Sequence, residues 1–230
     1  AAAQARPGDV VVLVQNTKAA LDAEQIATQV LDRGAEVVVL PETSRATAER
    51  AASLVREQSG RELQVLAHSA RPTEISSTAL LVDARLGSVR LTQTLPGIQG
   101  SFVASGSQGA PTITAVHTTS PSGPELDGWD LSTRAAVATC GTASIVAGDF
   151  NATLDHPALR ELGGCVDAGL ETGTAGVATW PVRAPRWLGA PIDRVLVDPS
   201  VWQVVSSAVL EPPTGTDHRA VEVLLRPVGD

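Results

Sequence analysis

A chain of 230 residues in which 43% are hydrophobic has enough apolar side chains for one domain core, or at most two. With 17 Lys and Arg against 25 Asp and Glu, the formal net charge is −8, which argues against tight non-specific DNA binding, since that depends on basic side chains facing phosphates. It leaves room for a small phosphoester reached through a cation, and no apolar run is long enough to span a membrane.

The chain begins Ala-Ala-Ala-Gln-Ala and contains no Met, so we expect a processed or truncated product. Residues 1–8 read as a tail left after a removed signal or anchor, and 9–230 as a single domain. The corresponding expectation is a location outside the cytoplasm, secreted or as the outer domain of a membrane-anchored bacterial protein. A monomer is expected. Cys140 and Cys165 are the only cysteines; a disulfide and two buried thiols are both open readings. Lys18 is the single Lys, which looks like coding bias.

In chain order, residues 9–15 form a β-branched run. Residues 17–33 carry Leu21, Ile26, Val30 and Leu31 at helical spacing, with Gly34 as a stop. Residues 36–40 are a second strand and 45–58 a second helix, ended by Gly60. Strand-like runs follow at 63–67, 77–82, 89–94 and 112–116. No helical pattern separates them, so antiparallel pairing is expected. A third helix is predicted over 127–139, a strand over 145–147 and a short helix over 156–162. Residues 163–191, rich in Gly, Ala, Thr and Pro, read as a long ordered loop. Strands at 194–197, 204–210 and 221–225 close the chain. The alternation predicts an α/β sandwich with mixed sheets.

Polar residues recur where these strands end: Gln15-Asn16, Pro41-Glu42, His117, Gly148-Asp149-Phe150-Asn151, Asp193 and Asp217-His218. Strand ends are where ligand-binding side chains converge. Each residue alone has a plain structural reading. A lone Asn is usually a turn former, and an Asp-His pair caps a turn. Their joint recurrence points to one site. Asp149 and Asn151, two apart after an apolar run, are expected on the same side of an extended segment.

In order, Asn16, Leu40-Pro41-Glu42, Val116-His117-Thr118, Gly148-Asp149-Phe150-Asn151, Ile192-Asp193-Arg194-Val195 and Thr216-Asp217-His218 resemble the endonuclease/exonuclease/phosphatase superfamily, as does Thr179-Trp180-Pro181. That resemblance implies a DNase I-like fold: a four-layer α/β sandwich of two packed mixed β-sheets flanked by helices. It also implies a divalent cation, Mg²⁺ or Mn²⁺ with Ca²⁺ as a further candidate, on Glu42 and Asn16 with Asp217 nearby. Asp149 would orient or deprotonate the attacking water, and Asn151 would hold a phosphoryl oxygen. His218, oriented by Asp193, and His117 would contact the phosphate.

The chain has no Tyr, so the tyrosine that some DNA-repair members use is missing, and His117 stands in the corresponding position. Its shortness resembles the compact bacterial members. Trp180, Arg183, Arg186 and Trp187 cluster ahead of Asp193, and Arg with Trp suits a phosphorylated ligand with an apolar or ring portion. The alternative is that the tryptophans anchor the loop. Trp129 reads as packing, and His68 and His156 as surface or capping residues. The resulting expectation is a metal-dependent phosphoesterase acting by direct water attack on a small or lipid-linked phosphate. A metal-dependent nuclease is the alternative, and a non-catalytic phospholigand-binding domain a more distant one.

Overall fold

A computed structural model of the chain describes residues 5–107 and 109–229; the first half of the expected N-terminal tail, residues 1–4, lies outside these. Two six-stranded sheets face each other. The first contains β1 (Val10–Val14), β2 (Val37–Pro41), β3 (Leu63–Ser69), β4 (Ser77–Asp83), β11 (Trp202–Val209) and β12 (Val221–Pro227), in the order β11-β12-β1-β2-β4-β3. The second contains β5 (Ser88–Thr94), β6 (Phe102–Ser107), β7 (Ile113–His117), β8 (Ile145–Asp149), β9 (Val166–Asp167) and β10 (Asp193–Val197), in the order β5-β6-β7-β8-β10-β9. Each sheet has one parallel pair at its centre, β1 with β2 and β7 with β8, and the other pairings are antiparallel. The helices α1 (Ala23–Arg33) and α2 (Arg45–Ser59) cover the first sheet, and α3 (Leu126–Val137) covers the second. These are the four layers expected of the chain.

The strands read as nearly continuous apolar runs because both faces of each sheet are covered. Alternate residues divide between two cores. Val12, Val14, Val37 and Val39 meet Ile113, Ala115, Ile145 and Ala147 between the sheets. Leu13, Val38 and Leu40 point the other way, onto Ile26, Val30, Ala51 and Val55 of the helices. Each fully buried Val or Leu contributes roughly 1.5–3 kcal/mol by leaving water.

Helix α1 begins at Ala23 and not at residue 17, because Asp22 and Gln25 form a reciprocal capping box there. Residues 17–21 are thereby released to build the site. Gly34 and Gly60 stop α1 and α2 in the left-handed conformation, as anticipated.

Four other expectations change. Strand β6 was not legible, since its Phe-Val-Ala-Ser-Gly-Ser sequence looks like a turn; alternate burial of Phe102 and Ala104 holds it in the sheet. The expected meander is divided, with β4 in one sheet and β5 in the other. The helix over 156–162 is only a 3-10 turn, Pro157–Leu159. The 163–191 loop contains β9 and a short helix α4 (Ala168–Thr172), capped by the Asp167 carboxylate. Asp167 also holds Arg194 at 2.9 Å, both side chains buried, a second bond that local sequence gives no sign of. Cys140 and Cys165 are joined by a disulfide, which ties the end of α3 to the start of this segment.

Candidate active site

One end of the sandwich opens into a cleft of about 600 Å³, lined by Glu42, His117, Asp149, Asn151, Asp217 and His218 among others. The two parallel pairs set its floor. In β8, Gly148 has φ 144° and packs so close to β7 that an added Cβ would lie 1.9 Å from the Val116 carbonyl oxygen. Gly148 is therefore needed within the strand, for close approach, one residue past the expected strand end at 147. Asp149, the last residue of β8, is opposite His117 on one side and Asp193 on the other.

Two residues just past the central strands, Glu42 (φ 57°) and Asn151 (φ 47°), adopt the left-handed conformation. Side-chain-bearing residues seldom do so, and such strain gathers at functional sites. Thr17 stabilises the first turn by donating from Oγ1 to the Glu42 carbonyl at 2.7 Å. At the second, the Asn151 N–H donates to Asp149 Oδ1 at 2.8 Å, and Asn151 Nδ2 donates to the Thr118 carbonyl at 2.9 Å. The amide group of Asn151 retains one N–H for a ligand.

Hydrogen bonds link the two sheets across the site. Asn16, fully buried, donates from Nδ2 to Glu42 Oε1 at 3.1 Å and to Asp149 Oδ2 at 3.0 Å. Its Oδ1 accepts from the Lys18 backbone N–H at 2.9 Å, which fixes the amide orientation. His218 Nδ1 lies 2.8 Å from Asp193 Oδ2, and its Nε2 is 4.0 Å from Asp149 Oδ2. One donor atom each from Asp149, Asp193 and His218 falls within 4.8 Å of the others. Asp193 occupies the Nδ1 side of the ring, so these three are arranged to hold a proton and a charge.

Charge states follow from burial and neighbours. Burial and the facing Asp193 raise Asp149 above the usual carboxylate range, and burial raises Glu42 as well. Burial opposes charge on His218, but Asp193, Asp149 and Asp217 outweigh it and raise the imidazole to about 9. Burial and the charge of His218 lower His117 to about 3, so it is a neutral imidazole, its Nε2 3.9 Å from Glu42 Oε1.

Of the residues singled out in the sequence, Asn16, Glu42, His117, Asp149, Asn151, Asp193, Asp217 and His218 converge here. Asp217 is turned outward, with Oδ2 3.2 Å from Lys18 Nζ and accepting from Trp180 Nε1 at 3.4 Å. Trp180 forms part of the cleft wall. Arg186 and Trp187, expected to contact substrate, are not among the residues that line the cleft. Arg186 Nε donates to Glu211 at 3.1 Å and its Nη1 to the Val209 carbonyl at 2.7 Å, so its charge is already satisfied. Trp187 is 81% exposed.

Residues not assigned to the site from the sequence also contribute. His156 lines the cleft while accepting at Nδ1 from the Thr153 N–H at 2.9 Å; its side chain makes no cap bond to the 3-10 turn that follows. Thr179 Oγ1 accepts from the N–H groups of Ile192 and Asp193 at 3.0 and 3.1 Å. Arg219, 5% exposed, donates to the carbonyls of Val182 and Ala184 at 2.8 and 2.9 Å, and more weakly to those of Ala178 and Pro181 at 3.4 and 3.5 Å. It thus staples the loop that carries Trp180. Its position beside His218 was the only sequence signal available.

Comparison with known proteins agrees with this geometry. Residues 12–218 match the sequence profile of the Endonuclease/Exonuclease/phosphatase family. No curated protein sequence matches the chain. Among solved structures, the endonuclease/exonuclease/phosphatase from Beutenbergia cavernae superposes with a TM-score of 0.69 at 17% identity, covering 95% of this chain and 72% of that one. The corresponding Bacteroides vulgatus protein gives 0.67 at 15% identity, covering 95% and 99%. D. rerio TDP2, complexed with a single-strand DNA product, gives 0.67 at 12% identity, again covering 95% and 99%. At such identities the likeness speaks for the fold; the profile match over nearly the whole chain goes further, and the chain belongs to the Endonuclease/Exonuclease/phosphatase family.

Proposed function

We propose that the protein is a divalent-metal-dependent phosphoesterase in which water attacks phosphorus directly. The observation that carries this reading is the continuous set Asp193–His218, Asp149, Asn16 and Glu42 at the floor of one cleft.

The donor set fits a hard cation. Asp149 is buried and Glu42 half-buried, both are raised, and the neutral Asn16 amide donates to each of them. Two crowded carboxylates of this kind suit Mg²⁺ or Mn²⁺; Glu42 would hold the ion, and Asn16, whose Nδ2 donates to both carboxylates, would position them. When bound, it supplies electrostatic stabilisation of charge on the phosphoryl group.

The remaining chemistry belongs to side chains. Asp149, raised toward neutrality, accepts the proton of the attacking water. His218, kept charged by Asp193, donates from Nε2 to a phosphoryl oxygen as negative charge develops there. Asn151 holds another oxygen with its free N–H. His117, being neutral, can donate without adding a second positive charge. The Cys140–Cys165 bond supports placing the reaction in an oxidising compartment, outside the cytoplasm.

The test is hydrolysis of phosphoester probes with Mg²⁺ or Mn²⁺, before and after chelation. Activity should vanish in excess EDTA and return with metal; full activity under chelation would remove the metal from the mechanism. Asp149→Ala should lose about 10³-fold or more in kcat with the fold retained. The DNA product held by D. rerio TDP2 makes nucleic acid the second reading, so an oligonucleotide belongs among the probes.

A further inference from the structure

We propose that the cleft selects a phosphodiester bearing a single negative charge and an uncharged, largely apolar substituent, which seats against Trp180, Ile75 and Ile192. This rests on the phosphoesterase reading above.

Charge is the first argument. Among the residues lining the cleft, Lys18 is the only Lys or Arg, and its ammonium is already 3.2 Å from Asp217. Glu42, Asp149 and Asp217 share the same walls. Of the two arginines that the sequence clusters here, Arg186 is engaged by Glu211 and exposed Arg183 is not among the lining residues. A second phosphate on the substrate would meet these carboxylates with only Lys18, already shared with Asp217, to pair with it among the lining Lys and Arg residues.

Shape is the second. A cleft of about 600 Å³ is far larger than a phosphate needs and suits a drug-sized ligand. Its walls include Ile75, Pro121, Trp180, Ala190 and Ile192. Ile75 is 53% exposed and Trp180 38% exposed, so apolar surface faces the opening with nothing covering it.

Rigidity is the third. The Trp180 indole donates to Asp217, and its backbone pairs with Ala190 in an isolated bridge. The four carbonyl contacts of Arg219 hold the loop beneath it. An aromatic wall fixed in this way loses little entropy when a ligand packs on it. The indole centroid is 6.4 Å from the His218 ring, so a substituent lying on it leaves its phosphorus beside the floor residues.

The experiment uses the whole protein with Mg²⁺ or Mn²⁺ and compares bis(4-nitrophenyl) phosphate with methyl 4-nitrophenyl phosphate. These share a leaving group and differ in the apolar substituent. After division by the uncatalysed rates, kcat/KM for the first should exceed that for the second by about tenfold or more. Trp180→Ala and Ile75→Ser should bring the ratio close to one, and Leu131→Ser, on exposed helix surface, should leave it unchanged. Ile75 is exposed, so its replacement reads the ratio even where Trp180→Ala loosens the loop. Dihexanoyl phosphatidylglycerol below its micelle concentration separates a lipid source of the apolar group from a small aromatic ester. Hydrolysis of inositol trisphosphate or a single-stranded oligonucleotide in preference to these diesters would overturn the inference and leave the phosphoesterase standing. So would an unchanged ratio in both cleft variants. No hydrolysis of any probe would overturn both.

Discussion

His218 Nδ1 and Asp193 Oδ2 lie 2.8 Å apart, with both side chains buried, although 25 residues separate them in the chain. The pair joins a residue three positions before β12 in one sheet to the first residue of β10 in the other. It fixes the ring so that Nε2 faces Asp149. Asp193→Asn should keep the shape but remove the charge that raises His218. We expect kcat to fall by about 10²–10⁴-fold. The pH profile supplies a second readout. With charged His218 required, wild-type activity falls as pH rises through about 9, and Asp193→Asn should move that alkaline limb to lower pH. A limb that stays in place would assign it to another group.

Arg219 is a buried cation whose hydrogen bonds run to backbone carbonyls of the Trp180 loop. Arg219→Gln cannot reach all four, and each buried acceptor left without a partner costs about 1–3 kcal/mol. We expect a lower melting temperature and a KM raised about tenfold, with a smaller effect on kcat. Arg183, exposed in the same loop, should become a faster site of tryptic cleavage in the variant. Arg219→Lys should restore the fold only partly, since one ammonium cannot reproduce a fork of donors.

His117 makes metal-free stability depend on acid. Its ordinary value is 6.5 and burial holds it at about 3 in the fold. Above pH 6.5 both folded and unfolded chains carry it neutral. As pH falls from there toward 3, the unfolded chain takes up a proton that the native state refuses, and stability drops. The limiting slope is about 1.4 kcal/mol per pH unit. Urea unfolding in EDTA should show this loss for wild type, and His117→Gln should flatten it.

The Cys140–Cys165 disulfide closes a loop with a sequence separation of 25. Chain entropy for such a loop gives a stabilisation of about 2–4 kcal/mol. Cys140→Ser/Cys165→Ser should lower stability by that order, measured by urea unfolding. Since neither sulfur touches the cleft, kcat of the folded double variant should stay close to wild type.

Much of the architecture was legible because its signals are local. The Val-rich runs of β1, β2 and β8, the stops at Gly34 and Gly60, and the polar residues at strand ends all depend on near neighbours. Strand β6 was hidden because Ala, Ser and Gly have weak strand preferences, and only the apposed Phe102 and Ala104 faces hold it in place. The onset of α1 was misread because the apolar spacing begins with Leu21, whereas the capping carboxylate is Asp22. Arg186 and Trp187 looked like ligand groups from proximity in sequence, but Glu211 claims the first and the loop turns the second to solvent.

By itself the sequence determined the α/β class, most of the strands, and the residue types gathered at their ends, since these follow from periodicity and side-chain chemistry. Tertiary structure alone decided which of those residues meet. Asn16 bridges Glu42 and Asp149, and Asp193 grips His218, only because two sheets from distant parts of the chain pack face to face. Their contacts span as many as 133 positions, and no local rule reaches that far. The same packing set the charge states, because burial depends on what lies opposite and not on what lies next in the chain.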